Sequence, residues 1–187
     1  MCMAGSELSD EQLIPEIIAK DKELYAIIVQ RYQTKLFHYL HKFVKNPDEL
    51  EDVLQTVFIK TYHNLNGFDQ KRKFSSWIYR IAHNEAINYI KKESRSISIE
   101  EEEMEIVDKE IDIKDAIDSS LLKSKIEASL AMIHNKYREP LILYYFEQKT
   151  YDEISDILQI PRNTVGVRIM RGKTLLKEFF NQAQYGQ

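Results

Sequence analysis

The feature that most limits how this chain can fold is a dense acidic stretch near its middle. Residues 100–118 carry ten Asp and Glu side chains against two lysines, Lys109 and Lys114, and include no aromatic residue. Like charges at this density repel one another and leave too little apolar surface for a core. The sequence therefore predicts an acidic linker at residues 96–118, between one small domain at residues 1–95 and another at residues 119–187.

Both flanking parts have the pattern of amphipathic helices. Apolar side chains recur at steps of three and four, and no stretch alternates convincingly with a period of two. Start signals precede several of these stretches: a capping box of Ser9 with Gln12, another of Thr150 with Glu153, Pro47 after Asn46, and a cap at Ser75 or Ser76. We predict an all-α fold of two small helical domains joined by the acidic linker.

Several classes of protein are disfavoured by what the sequence lacks. Its one cysteine, Cys2, cannot form an internal disulfide, and no Cys/His spacing typical of zinc occurs. No nucleophile motif or glycine-rich phosphate loop accompanies the paired acids, so we expect no enzyme, no metal and no cofactor. The longest apolar run, residues 141–146, is too short to cross a bilayer, and the first residues do not resemble a signal peptide. We expect a cytoplasmic protein without membrane insertion.

Positive charge is concentrated in two blocks that the net charge of −4 conceals. Residues 60–95 contain eight Lys and Arg against three acids, and residues 161–177 contain five against none. Charge runs are usually solvated faces, but clustered cations also mark nucleic-acid binding. The second block falls in the second helix of a predicted helix-turn-helix, which favours DNA as the ligand, although many helical hairpins bind nothing.

The first basic block contains the most informative stretch, FDQKRKFSSWIYRIAHNEAINYIKK at residues 68–92. A basic loop with Phe68 precedes a helix on which Arg80, Asn84 and Asn88 share one face. Cations hold phosphates, aromatic rings stack on bases and amides read base edges, a combination that suits single-stranded or opened DNA. Most of the apolar side chains here, including Trp77, are expected in the core; the polar face is the functional part.

These residues carry a resemblance to a known family. The segments DELEDVLQTVFIKTY and FDQKRKFSSWIYRIAHN resemble region two of RNA polymerase sigma factors of the extracytoplasmic-function group (group IV of the sigma-70 family). The segment KTYDEISDILQIPRNTVGVRIMRGKTLL resembles region four of the same factors. The two regions stand in the family's order, with a linker between them.

The resemblance implies that the first domain docks on the clamp helices of core RNA polymerase and opens the minus-ten promoter element. The positions matching the polymerase contact are Glu51, Asp52 and Gln55, with Ile59 as an apolar companion one turn on. Phe68 and Asn84 match the pocket that captures a flipped base. The full candidate set for minus-ten DNA is Phe68, Lys71, Arg72, Lys73, Trp77, Arg80, Asn84 and Asn88.

The second domain is implied to place its last helix in the major groove of the minus-35 element. Its candidate DNA-binding residues are Arg162, Thr164, Arg168, Met170, Arg171 and Lys173. Arg168 either contacts DNA or buttresses the domain. The sequence departs from the family where Gly166 replaces the usual basic residue after Thr-Val and where Gln159 replaces a common turn glycine. Weaker contacts or a different sequence choice are therefore expected.

Other interpretations stay open at this point. The acidic linker either follows the path of exiting RNA in the polymerase, as the resemblance implies, or is a solvated spacer. The family further implies an anti-sigma factor as partner. The main alternative is a stand-alone helix-turn-helix regulator that binds duplex DNA without polymerase, and another is a helical adaptor that binds only proteins. Neither alternative needs the Phe68 loop or the face of Glu51, Asp52 and Gln55.

Overall fold

The computed structural model describes residues 8–19, 21–96 and 119–185. Cys2 and, apart from Ser96, the predicted linker at residues 96–118 lie outside this part of the chain. The chain divides into two compact units, one formed by Met1–Ile99 with Ser155–Gln159 and the other by Glu100–Ile154 with Ile160–Gln187. Within the described ranges every regular element is helical, which confirms the predicted all-α fold.

The helices follow one another in this order: α1 (Asp10–Ala19), α2 (Tyr25–Leu40), α3 (Pro47–His63), α4 (Phe74–Ser96), α5 (Ser119–Ala131), α6 (Asn135–Leu141), α7 (Tyr151–Leu158) and α8 (Arg162–Tyr185). Short 3-10 turns occupy Lys22–Leu24 and Leu65–Gly67. A π-helical turn, Ile142–Phe146, continues α6.

The first unit is a bundle in which α3 packs on α2 and on α4. Its core comes from the apolar stripe of each helix; in α2 the fully or nearly buried members are Ile28, Tyr32, Leu36, Tyr39 and Leu40. Their spacing of three and four residues puts them on one face, as the sequence predicted. Thr61 is the one buried polar side chain of α3. Its hydroxyl donates a hydrogen bond to the Val57 carbonyl at 2.7 Å, so this buried polar group has a partner.

Three of the predicted helix starts are confirmed. Ser9 and Gln12 exchange the two hydrogen bonds of a capping box, at 3.0 and 3.3 Å. Thr150 and Glu153 do the same ahead of α7, at 2.8 and 3.3 Å. The Asn46 side chain accepts from the backbone N–H of Asp48 at 3.0 Å, with Pro47 in the first turn of α3.

The predicted cap at Ser75 or Ser76 was wrong, because α4 begins at Phe74 and contains both serines. The Phe74 N–H is satisfied instead by a side chain from another helix: it donates to Oε1 of Glu11 in α1 at 3.0 Å. A carboxylate at this position also faces the positive end of the α4 dipole.

The second unit packs α5 and α6 against α8. After Leu141 the hydrogen bonding of α6 changes to the wider π pattern. The glycine Gly172 makes the contact between α6 and α8 close: a Cβ there would lie 2.8 Å from Cδ1 of Leu141 and 3.0 Å from the Tyr137 carbonyl oxygen. Gly172 is therefore a packing residue.

Between α7 and α8 the chain makes the turn of a helix-turn-helix. Gln159 occupies the left-handed region there with φ of 53°, and its side-chain amide donates to the Asp156 carbonyl at 2.5 Å. Gln148, at the end of the π-helical turn, has φ of 52° and donates in the same way to the Tyr145 carbonyl at 2.7 Å. In both places a glutamine stands where glycine is usual and caps the preceding turn with its own amide.

Candidate nucleic-acid interfaces

Helix α3 presents one outward stripe formed by Glu51, Asp52, Gln55 and Ile59. All four side chains are exposed, Ile59 to 56%. At about 100° per residue they fall within roughly a quarter to a third of the helix circumference. The core side of α3, with Leu50, Val57 and Thr61, faces away from them. The structure thus brings together every residue that was predicted to contact the polymerase.

Two polar contacts fix α3 against α4 on the side away from this stripe. The ammonium of Lys60 lies 2.7 Å from Oε1 and 2.8 Å from Oε2 of Glu85. The Tyr89 hydroxyl donates to Oε2 of Glu49 at 2.5 Å. Burial, together with the neighbouring carboxylate, raises the pKa of Tyr89, so the hydroxyl keeps the proton that it donates. These contacts hold the exposed stripe in a defined orientation relative to α4.

The loop before α4 rests on a cluster of aromatic rings. The rings of Phe68 and Trp77 lie 5.3 Å apart, those of Phe68 and Phe74 lie 5.4 Å apart, and Tyr32 contacts Phe74 at 5.7 Å. Phe68 and Trp77 are each only 8% exposed, which confirms the expected core position of Trp77. The buried rings of Phe68 and Trp77 therefore form the core side of the loop.

The cations of the loop, Lys71, Arg72 and Lys73, lie on the surface above this cluster. Asp69 shapes the turn that presents them: its Oδ1 accepts from the Lys71 N–H at 3.0 Å and its carbonyl accepts from the Arg72 N–H at 2.9 Å. Such an Asx turn fixes the backbone while the long basic side chains remain on the outside.

A polar face of α4 continues from the aromatic cluster. Trp77, Arg80, Asn84 and Asn88 follow one another at steps of three and four, and therefore share a face. Asn84 and Asn88 are exposed, whereas Arg80 is half-buried. Phe68, which precedes the basic loop, packs against Trp77, the first residue of this face. The basic loop therefore lies next to the start of the face of α4 that carries Asn84 and Asn88. The structure therefore aligns the predicted minus-ten residues from the basic loop along one face of α4 as far as Asn88.

Helix α8 carries the predicted minus-35 residues. Arg162, Met170, Arg171 and Lys173 are exposed, while Thr164 and Arg168 are half-buried. Arg162 is held at the start of the helix by Asp152 of α7, with Nε 3.0 Å from Oδ1, and it lies over the Tyr151 ring. The guanidinium of Arg171 lies 5.9 Å from the centre of the Tyr137 ring. Sequence reasoning missed one neighbour, Val167, which is 55% exposed; its place one turn before Met170 was the available signal.

The described residues include neither a metal-binding cluster nor a membrane-spanning helix. No group of three or more His, Cys, Asp or Glu side chains is arranged to hold a metal ion in this part of the chain. None of the helices that the structure describes combines the length and the apolar character required to span a membrane.

Comparison with protein families identifies both halves of the chain. The family model for sigma-70 region 2 matches residues 28–96, and the model for sigma-70 region 4 matches residues 123–176. The first of these spans contains the α3 stripe, the basic loop and the polar face of α4. The second contains the helix-turn-helix.

Relatives that match over almost their whole length show which group of sigma-70 factors the chain belongs to. The chain is 32% identical to the ECF RNA polymerase sigma factor SigW of Bacillus subtilis over 181 residues, which cover 92% of this chain and 97% of that protein. It is 30% identical to the ECF RNA polymerase sigma-E factor of Haemophilus influenzae over 182 residues, covering 92% and 96%. The chain belongs to the extracytoplasmic-function group of sigma-70 RNA polymerase sigma factors, which direct promoter recognition in transcription initiation.

Solved structures share the fold. CnrH, solved in complex with the cytosolic domain of CnrY, superimposes with a TM-score of 0.70 at 19% identity and covers 92% of this chain and 97% of its own. RpoE of Bartonella quintana, solved with the anti-sigma factor NepR, gives a TM-score of 0.67 at 19% identity and covers 82% and 94%. The matches to both sigma-70 regions and to whole-length ECF sigma factors do not favour a stand-alone helix-turn-helix regulator.

Proposed function

We propose that the chain divides promoter recognition between its two domains. Residues 1–95 dock on core RNA polymerase and open the minus-ten element, residues 119–187 bind the minus-35 element, and residues 96–118 connect them. The observation that carries this proposal is the separation of surfaces within the first unit. The exposed stripe of α3 and the basic loop with the polar face of α4 are two distinct surfaces, held together by the contacts between α3 and α4.

The α3 stripe supports polymerase docking by its composition. Two carboxylates and an amide surround the exposed apolar side chain of Ile59. An apolar centre with a polar rim is the usual anatomy of a protein interface. Acidic side chains repel DNA phosphates, which excludes this surface as a second contact for nucleic acid. The clamp helices of core polymerase are the partner that the family assigns to these positions.

The α4 surface supports the opening of DNA. Unstacking one base requires a few kcal/mol, which contacts to the captured base must offset. The amides of Asn84 and Asn88 are exposed and offer both donors and acceptors to a base edge. Lys71, Arg72 and Lys73 supply the sequence-independent attraction for the strand backbone, which weakens as salt is raised.

The protein performs no catalytic step of its own and acts in the cytoplasm, where it lends specificity to polymerase. An anti-sigma factor is a further partner, as the family resemblance implies; RpoE of Bartonella quintana, which shares the fold, was solved with the anti-sigma factor NepR.

Co-elution with core RNA polymerase tests the proposal. The full chain and core polymerase, mixed at micromolar concentration, are expected to leave a gel-filtration column together, whereas the chain alone binds promoter duplex poorly. Tight binding of promoter duplex by the free protein, with no complex with core polymerase, would support the stand-alone regulator and contradict the proposal.

A further inference from the structure

The outward face of α8 has an apolar centre. Met170 is 67% exposed and Val167 is 55% exposed, and both lie in the half of α8 that follows the helix-turn-helix turn. Fully burying a side chain of this size is favourable by about 1.5–3 kcal/mol relative to leaving it in water. Two such exposed side chains on one helix therefore favour a partner that covers them. Their neighbour Gly166 adds no side chain to the same face.

Cations flank this apolar centre on both sides. At about 100° per residue, Arg162 and Lys173 lie roughly 60–80° to one side of Met170, and Arg171 lies about 100° to the other. All three are exposed. Of the buried side chains of α8, Val165 lies about 140° from Met170, and Ile169 lies about 100° from it, next to the edge formed by Arg162 and Lys173. Across its width, this face of α8 therefore has cations at one edge, apolar side chains in the middle and a cation at the other edge.

Duplex DNA offers the complementary arrangement. A recognition helix in the major groove has base edges in front of it and a phosphate backbone on either side. The one apolar group on the base edges is the C5 methyl of thymine. No acidic residue interrupts residues 161–177, so the charge of the helix also favours DNA over a protein partner.

From this arrangement we infer that Val167 and Met170 read thymine methyl groups in the minus-35 element, while Arg162, Lys173 and Arg171 hold the phosphates. The inference rests on the proposed function, since it specifies what the second domain recognises. The two apolar residues are three positions apart, which is about 4.5 Å along the helix. This rise is close to the separation of neighbouring base pairs, about 3.4 Å, so the two methyl groups lie one or two base pairs apart.

Replacing thymine by uracil tests the inference, because it removes the methyl group and leaves all hydrogen-bonding groups in place. Holoenzyme assembled from core polymerase and the full chain first selects its promoter from a library with a randomised minus-35 element. Each thymine of the selected element is then replaced singly by deoxyuridine. We expect about threefold to fivefold weaker binding at one or two neighbouring positions, the effect of one buried methyl group.

Variants assign the effect to residues. Val167→Ala and Met170→Ala are each expected to abolish the preference for thymine over uracil at one position. Arg171→Ala is the matched control: it should weaken thymine and uracil templates equally and reduce the salt dependence. Both apolar positions are exposed, so neither substitution removes core packing.

Three results would overturn the inference. Equal binding of thymine and uracil templates at every position would contradict it while leaving the proposed function intact. Loss of core-polymerase binding in Val167→Ala or Met170→Ala, with promoter discrimination unchanged, would assign the face to the polymerase. Failure to select any minus-35 sequence would contradict both the inference and the proposed role of the second domain.

Discussion

Oε1 of Glu11 accepts a hydrogen bond from the backbone N–H of Phe74 at 3.0 Å, so that a side chain of α1 caps the first turn of α4. The same helix is tied to α2 through Asp10, whose Oδ1 lies 2.7 Å from Nη1 of Arg31 and whose Oδ2 accepts from the Tyr32 hydroxyl at 2.5 Å. Phe74 directly follows Lys73 of the basic loop. Helix α1 therefore fixes the point where that loop enters α4.

Removing this cap is expected to destabilise the first unit. Glu11→Ala should lower its free energy of unfolding by about 1 kcal/mol, because the Phe74 N–H loses its acceptor. Glu11→Gln keeps an acceptor oxygen and should lose less. Trp77 is the only tryptophan and lies in the core of this unit, so its fluorescence during urea unfolding reports the change. Equal stability of Glu11→Ala and the wild type would show that the contact contributes nothing.

Two glycines of α8 should respond in opposite directions to the same substitution. Gly172→Ala places a Cβ 2.8 Å from the Leu141 side chain and 3.0 Å from the Tyr137 carbonyl, which forces α6 and α8 apart. At Gly166 the closest atom is 3.4 Å away, an ordinary contact, so alanine should stabilise the helix by up to about 1 kcal/mol. Thermal unfolding followed by circular dichroism compares the two. A stabilising Gly172→Ala would contradict the packing role.

The left-handed turn before α8 gives a third prediction. Gln159 adopts φ of 53°, which is unfavourable for a residue with a Cβ, by roughly 1 kcal/mol. Gln159→Gly should therefore stabilise the turn between α7 and α8 slightly, even after the loss of the amide hydrogen bond to the Asp156 carbonyl. Gln159→Ala loses that bond and keeps the strain, so it should destabilise. If both variants destabilise equally, measured in the same way, the backbone strain is not the controlling factor.

Reversing one charge on the α3 stripe should weaken docking on the polymerase. Asp52→Lys places a cation on a surface proposed to bind through acidic side chains, and we expect at least tenfold weaker binding of core polymerase, equivalent to about 1.4 kcal/mol. Glu178→Lys is the matched control, since it makes the same charge change at an exposed residue of the second unit. Fluorescence anisotropy of labelled protein with core polymerase measures both affinities. Equal affinities would remove Asp52 from the docking surface.

Removing one amide from α4 should impair DNA opening with little effect on docking. Asn84→Ala deletes the exposed side chain at the matching pocket position, and we expect roughly tenfold slower or less complete opening of the minus-ten region. Permanganate reactivity of unpaired thymines in the holoenzyme–promoter complex follows the opening. Asn181→Ala, an exposed asparagine near the end of α8, serves as the control. Equal loss of opening and of polymerase binding would indicate a structural role for Asn84.

Local signals in the sequence were sufficient for most helices. The capping boxes at Ser9 and Thr150 and the cap at Asn46 involve partners two or three residues away, and all three form as predicted. The residues of the outward stripe of α3 were taken from the family resemblance, and they lie on the side of the helix away from its buried residues. Helix caps that involve only a few neighbouring residues can therefore be predicted from the sequence alone.

Features that depend on distant residues were not predictable in this way. The acceptor for the Phe74 N–H is Glu11, which lies 63 positions earlier in the sequence. The nearby sequence offered only Ser75 and Ser76 as capping residues for α4. The packing role of Gly172 could not be predicted either, because Leu141, which it contacts, belongs to another helix. The apolar run at residues 141–146 has no periodicity, and its change to a π-helical turn left no trace in the pattern.

Run-off transcription tests the central claim most directly. Core RNA polymerase with and without the full chain is supplied with a template library in which the minus-ten and minus-35 elements are randomised. The account predicts RNA of defined start only when the chain is present, from templates that share both elements. RNA of the same amount and start without the chain, or initiation that ignores both elements, would contradict it.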